Sequence, residues 1–332
     1  MKKIFVRSPY FIEINEVGQT SGKIELYLWN KGTSMPTNPS YTLEKQIPSQ
    51  YQTNLSWNIS NFAKEFIKPI SPILVSVPTE DNVKNWCYIR VVSYSDNVEI
   101  NDEIFICLNG YNNYIGGYNQ STEETIVPLV NTDIKFTTFS GFNFIDVWIE
   151  ENETYNWEGN DDIFFTTTSE GLWKLPYDYD DYTLSYDGGE GIFNINTEQL
   201  CEAKYTPITC SFINRFGGWQ FLTFFKANQQ SIDVNSKTYN LMPQSLNYNS
   251  LIGVNKSFNF NGMQKITCNT GWVDQNYFEL IQDLLLSETI LLDNIPVICK
   301  SNSAEYKTHL KEKNINYTIN FEYNFNLIND VI

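Results

Sequence analysis

"FINRFGGWQFLTFFK", residues Phe212–Lys226, holds five Phe, one Trp, one Arg and a Gly-Gly pair in fifteen positions. Apolar, β-prone residues run up to Asn214 and resume at Trp219, with the short segment "NRFGG" between them. Gly217 and Gly218 can take the positive φ that a short hairpin loop needs. The stretch therefore reads as a hairpin of two strands, "KYTPITCSFI" and "WQFLTFFKAN", whose rings fill a pleated face. Its tip leaves two readings open. Arg215, Phe216 and Trp219 belong to a core, or they anchor a second chain, since Arg and Trp are common interface anchors. The anchor is the expectation.

Upstream, "KIFVRSPYFIEI", "KIELYLWN", "TNLSWNIS", "NWCYIRVVSYS" and "DEIFICLNGY" read as short strands between turn clusters. In the second of these, Ile24, Leu26 and Leu28 alternate with Glu25, Tyr27 and Trp29, the period of a half-exposed strand. A helical turn fits "NFAKEFI". Six or seven strands at this spacing predict an immunoglobulin-like β-sandwich over residues 1–108. Residues 109–196 read as a connecting region. It opens with a Gly/Asn/Tyr-rich loop, "NGYNNYIGGYNQSTEET", whose Tyr111, Tyr114 and Tyr118 suit either a plain surface loop or a partner contact. It continues through the strands "IKFTTF" and "FNFIDVWI" into an acidic run.

Residues 197–332 read as a second β-rich domain. It carries the one clear amphipathic helix, "DQNYFELIQDLLLSE", with Tyr277, Ile281, Leu284 and Leu285 on one face and Asp274 as its N-cap. The end, "INYTINFEYNFNL", alternates without a break from Ile315 to Leu327 and would span roughly 43 Å at about 3.3 Å per residue. Strands that long occur where a sheet continues into a shared assembly. The expected fold is mainly β.

At 332 residues the chain is long enough for two cores, and an aromatic share of 15% supplements a hydrophobic share of 42%. The net charge of −17 argues against a nucleic-acid clamp. Thirteen acidic residues against Lys174 alone lie between Asp146 and Glu190, which reads as a solvated insertion. No signal peptide or membrane anchor is apparent, so the expectation is a soluble protein made in a cytoplasm. The six cysteines show no CxxC spacing and read as buried free thiols.

Catalytic stock is thin. The single histidine, His309, sits in a charged segment, and no phosphate-cradling loop or nucleophile elbow is present. Only carboxylates remain. "YDYDDYTLSYDGGEG" mixes acids and tyrosines as sugar sites do, and Asp178, Asp180 and Asp181 are hard oxygen ligands, but the run departs from the calcium-loop pattern. No catalytic, cofactor or metal residues are therefore assigned.

Three stretches together resemble a known family: "GYNNYIGGYN", "YTPITCSFINRFGGWQFLTFFK" and the series from "CNTGWVDQNYFELIQ" to the C-terminal strand, a likeness covering Cys201–Ile332. The chain resembles neck and tail ring-type virion structural proteins of crAss-like and related Bacteroidetes-infecting tailed bacteriophages. That resemblance implies a tail-tube-like or sandwich fold in the C-terminal domain and a homo-oligomeric ring of twelvefold symmetry. It also implies contact with the portal or other neck and tail rings, genome DNA passing without specific binding, no membrane, and assembly in the host cytoplasm. Arg215, Phe216, Gly217, Gly218, Trp219, Tyr111, Tyr114 and Tyr118 are then interface candidates. The rival expectations are a glycan-binding or glycan-cleaving receptor protein using the acidic-tyrosine region, and a bacterial surface scaffold.

Overall fold

The computed structural model of the chain describes residues 1–47, 54–81, 85–138, 143–150, 152–178, 180–189, 191–199, 204–242, 249, 251, 253–274, 276–301 and 314–328. It is mainly β, with two α-helices, Ser60–Phe66 and Tyr277–Leu286, among the described residues. The chain divides into two units. One comprises 1–201, 211–222 and 286–289; the other comprises 202–210, 223–285 and 290–332.

The first unit opens with a six-stranded sheet. Its order is Tyr41–Gln46, Ser21–Trp29, Trp86–Ser95, Val98–Leu108, Lys2–Phe5 and Ser121–Thr122. Lys2–Phe5 runs parallel to Val98–Leu108. "KIFVRSPYFIEI" breaks into two strands, Lys2–Phe5 and Phe11–Ile14, because Pro9 cannot donate to a ladder. Phe11–Ile14 pairs with Leu55–Asn58, and this ribbon and helix Ser60–Phe66 share a core with one face of the sheet. Ile24, Leu26 and Leu28 point into that core and Ile89, Val91, Phe105 and Cys107 join them.

The other face is covered too. Trp86, Tyr88, Ile106 and Leu108 meet Val127, Leu129, Trp148 and Leu172, with the Trp86 and Trp148 rings edge-to-face at 4.6 Å. This shared core is why no break falls at the expected boundary near residue 108. The strands of 126–195 build on from it. Ile126–Pro128, Asn143–Ile149, Gly171–Tyr177 and Thr79–Asp81 form one sheet; Ile163–Thr166, Thr154–Glu158, Tyr182–Tyr186 and Gly191–Ile195 form another.

The acidic run thus corrects the expectation of a solvated insertion. Its alternating Tyr155 and Trp157 are wholly buried, as are Leu175, Tyr177 and Leu184, while Glu158, Asp161, Asp162 and Asp187 stay on the surface. Aromatic burial outweighs charge here, because each ring removes a large apolar area from water and these four surface acids keep their hydration.

In the second unit the base of the hairpin, Ile208–Cys210 with Thr223–Phe224, adjoins Ile290–Leu292. Then come Ile295–Cys299, Asn314–Asn326, Asn255–Asp274 and Gln229–Asn240. The alternation of the C-terminal strand is real but only half of it is buried. Ile315, Tyr317, Ile319 and Phe321 face inward, whereas Phe325 and Leu327 are exposed. Asp274 closes a strand, three residues before the helix begins at Tyr277, so it is not the residue that caps it. Cys87, Cys107, Cys210 and Cys268 are free and buried and Cys299 is free and half-buried; Cys201 and His309 lie outside the described residues.

Trp157 stacks on Tyr182 at 5.1 Å, and its indole N–H donates to the Pro176 carbonyl at 2.6 Å. Trp157→Ala should cost about 3–5 kcal/mol of stability, and Asp161→Ala no more than about 0.5 kcal/mol. Urea denaturation measures both. Equal, small losses would return the acidic run to a loosely held insertion.

Candidate functional site

The tip of the hairpin and the tyrosine loop, far apart along the chain, meet in the first unit. Asn214 organises the tip. Its side-chain oxygen accepts the N–H groups of Phe216 (2.9 Å) and Gly218 (3.2 Å), and its Nδ2 donates to the Leu129 carbonyl (2.8 Å). The backbone closes the turn through Asn214 N–H to Gly218 O and Gly217 N–H to Asn214 O. Gly217 has φ +87°, and a Cβ there would come within 2.8 Å of the Asn109 and Gly110 nitrogens. Both the dihedral and the space demand glycine.

Residues 109–112 run between the tip and the start of the chain. Arg7 N–H donates to Gly110 O at 2.9 Å, Asn112 N–H to the Ser8 hydroxyl at 2.7 Å, and Tyr111 N–H to Arg215 O at 2.7 Å. A Cβ on Gly110 would sit 2.4 Å from the Arg215 oxygen, so this approach needs a glycine as well. The Arg7 guanidinium lies over the Tyr111 ring at 5.0 Å and donates to Leu286 O.

Beyond this seam the chain makes a single 3₁₀ turn, Tyr114–Gly116. Asn119, at φ +59°, binds Phe11 as a backbone strand would: its Oδ1 accepts the Phe11 N–H at 2.6 Å and its Nδ2 donates to the Phe11 carbonyl at 2.8 Å. Gln120 Nε2 donates back to Gly116 O. Tied at both ends, the loop presents Tyr114 and Ile115 to solvent at 98% exposure each, while Tyr118 leans edge-on against Phe11 at 5.6 Å.

The candidates therefore separate. Tyr114 and Tyr118 are exposed, and Tyr111, Arg215 and Phe216 are half-buried. Phe216 lies against the Trp86–Trp148 core, and the Arg215 guanidinium lies 4.7 Å from the Phe216 ring centre. Gly217, Gly218 and Trp219 are buried in the unit, which is the core side of the two readings left open for the tip. Trp219 is inside because its backbone N–H is bonded to Asp146 Oδ2 at 2.7 Å, drawing the ring under the turn. Ile115, outside the tyrosine candidates, is as exposed as Tyr114; its position in a Gly-rich, otherwise polar loop is the signal.

Beneath the tip lies a buried polar group. Asp146 is 1% exposed, its Oδ1 makes no hydrogen bond among the described residues, and burial pushes its carboxyl up to about 7. The nearby Asp81 carboxylate pushes the same way, whereas the Trp219 N–H and the Lys174 ammonium oppose it. Lys174 itself is buried, 3.4 Å from Asp81 and 4.8 Å from the Phe144 ring centre.

Two carboxylates of the tyrosine-aspartate run hold internal hydrogen bonds. Asp178 is buried and accepts the Tyr182 hydroxyl at 3.0 Å, and Asp181 accepts the Thr197 N–H at 2.8 Å. Asp180 contributes its backbone carbonyl to the Thr197 hydroxyl. Asp178 thus departs from the expected solvent-facing position, because it satisfies a buried phenol. No group of three or more His, Cys, Asp or Glu among the described residues is arranged to hold a metal. Among those residues no helix is long and apolar enough to cross a membrane. Compared with known proteins, the chain matches no family model, no curated protein and no solved structure.

Asp146 makes stability depend on pH. Its folded pKa stands above the ordinary carboxylate value, so its contribution is full below about pH 4 and is lost as pH rises through about 7. Between those limits stability falls by about 1.4 kcal/mol for each step of one in pH. Asp146→Asn should remove that loss. The variant should gain on the wild type between about pH 5 and pH 8 in chemical denaturation. A difference between the two that does not change with pH would mean that Asp146 is ionised throughout.

Proposed function

We propose that this chain is a non-catalytic structural protein that assembles with copies of itself, and that its setting is the neck or tail of a tailed-bacteriophage virion. The copies form a ring around the DNA channel, next to the portal or another ring. The observation that carries the structural role is the uncovered Tyr114–Ile115 turn, held in shape by the Asn214 tip on one side and Asn119 on the other. A rigid apolar tip loses little conformational freedom on binding, which is what a permanent contact requires. Tyr111, Arg215 and Phe216 form the rim of the same surface.

The virion setting rests on the resemblance carried by Cys201–Ile332. Charge supports the channel: the first unit has twenty-nine acidic residues against thirteen basic ones, a balance that repels phosphate and lets DNA slide. Against the glycan-receptor alternative, Asp178 and Asp181 of the acidic-tyrosine region are engaged in internal hydrogen bonds.

Light scattering after size-exclusion chromatography tests the reading. The wild type should elute as an oligomer. Tyr114→Ser with Ile115→Ser should weaken association by about 2–4 kcal/mol without changing the melting temperature. Arg215→Ala should weaken it too, and the monomer should keep its fold because the tie to Tyr111 is made by the Arg215 backbone oxygen. Unchanged assembly in both variants would overturn the proposal.

A further inference from the structure

The second unit ends its sheet in an open edge. All twelve residues of Gln229–Asn240 are exposed, and no strand lies beyond it among the described residues. Its partner, Asn255–Asp274, pairs with the C-terminal strand only from Met263 onward. Residues 234–240 and 255–262 therefore extend as a two-stranded ribbon, a form that is marginal alone. The extra residue at the register shift lies on the inner strand, where Asn259 takes φ +53°. The outer strand keeps unbroken alternation, and an edge that regular invites another strand.

Its two faces differ. Ile232 and Val234 project on one, where Gly262 leaves a gap flanked by Ile232 and Leu327, each 3.4 Å from where a Cβ would stand. All three apolar side chains are exposed. Asp233 and Lys237 share the opposite face, four residues apart. Asp233 pairs with Lys265 of its own chain, and Lys237 has no ion pair among the described residues.

We propose that this edge pairs antiparallel with the same edge of a second copy, about a two-fold axis through Asn235. In that register Asp233 of each copy stands opposite Lys237 of the other, giving two complementary charge pairs on one face. On the other face the two Val234 side chains become diagonal neighbours, with Ile232 beside them. Charge favours the arms over other surfaces as the self-contact. The second unit has nine basic residues against ten acidic, while two copies of the acidic first unit repel. The contact is isologous and closes on itself. It goes beyond the ring reading, which needs a rotational contact, and it covers the edge before any ring forms.

Sedimentation equilibrium of the full chain tests it. The wild type and the Tyr114→Ser variant should both dimerise. Lys237→Glu places Glu opposite Asp233 and Asp233→Lys places Lys opposite Lys237, so each alone should weaken the dimer about tenfold or more. Mixed in equal amounts, the two variants should dimerise with each other at near wild-type strength, because every cross-pair is then of opposite sign. A monomeric wild type, unaffected single variants, or a mixture no tighter than its components would each overturn the two-fold contact. Loss of dimer in the Tyr114→Ser variant instead would assign self-association to the tyrosine loop and overturn it as well.

Discussion

The side chain of Asn214 holds the tip on which the candidate surface depends. One carboxamide satisfies two backbone N–H groups inside the turn and one carbonyl outside it, all in a buried position. A buried donor or acceptor left unmade costs about 1–3 kcal/mol, so three such bonds on one residue fix the turn more firmly than its glycines alone could. With the turn fixed, Arg215 O has a set position, and Tyr111 N–H can close onto it. From there the exposed Tyr114–Ile115 turn inherits its placement.

Burial of polar groups recurs around this tip. Lys3 is buried against Glu150 at 2.8 Å, and Trp148 donates to the same carboxylate. Lys174 and Asp81 form a second buried pair, beside Asp146. Such pairs add little net stability, because desolvation offsets most of the attraction, but breaking one leaves a charge uncompensated. Asp146 is the least satisfied member, and it sits directly under the hairpin through its bond to the Trp219 N–H.

Much of the β architecture is legible in the sequence because apolar alternation reports a pleated surface. The Ile208–Ile213 and Trp219–Phe224 hairpin, the helix at Tyr277 and the C-terminal strand all lie where the pattern puts them. The ribbon is not legible. "SIDVNSKTYN" and "NKSFNFNGMQKITCN" alternate, but Ser, Asn and Lys on exposed positions weaken the apolar pattern that marks a strand. The acidic run misleads because its charge count hides Tyr155, Trp157 and Leu175, which decide its fold. That Trp86 and Tyr88 are buried on the outer face of the first sheet follows from pairing with Trp148, and no local pattern announces a core made from distant segments. At the site, the sequence marks the tip and the tyrosines but not the bond between Tyr111 and Arg215.

Hydrogen–deuterium exchange at low and high protein concentration tests the account most directly. The amides of 215–218 and Tyr111 should be protected at both concentrations, since the Asn214 turn and its seam are internal to one chain. The amides of 113–118 should exchange fast when dilute and slow as copies associate. Fast exchange at 215–218 in dilute solution would contradict a preformed tip. Exchange at 113–118 that ignores concentration while the protein assembles would contradict the contact surface itself.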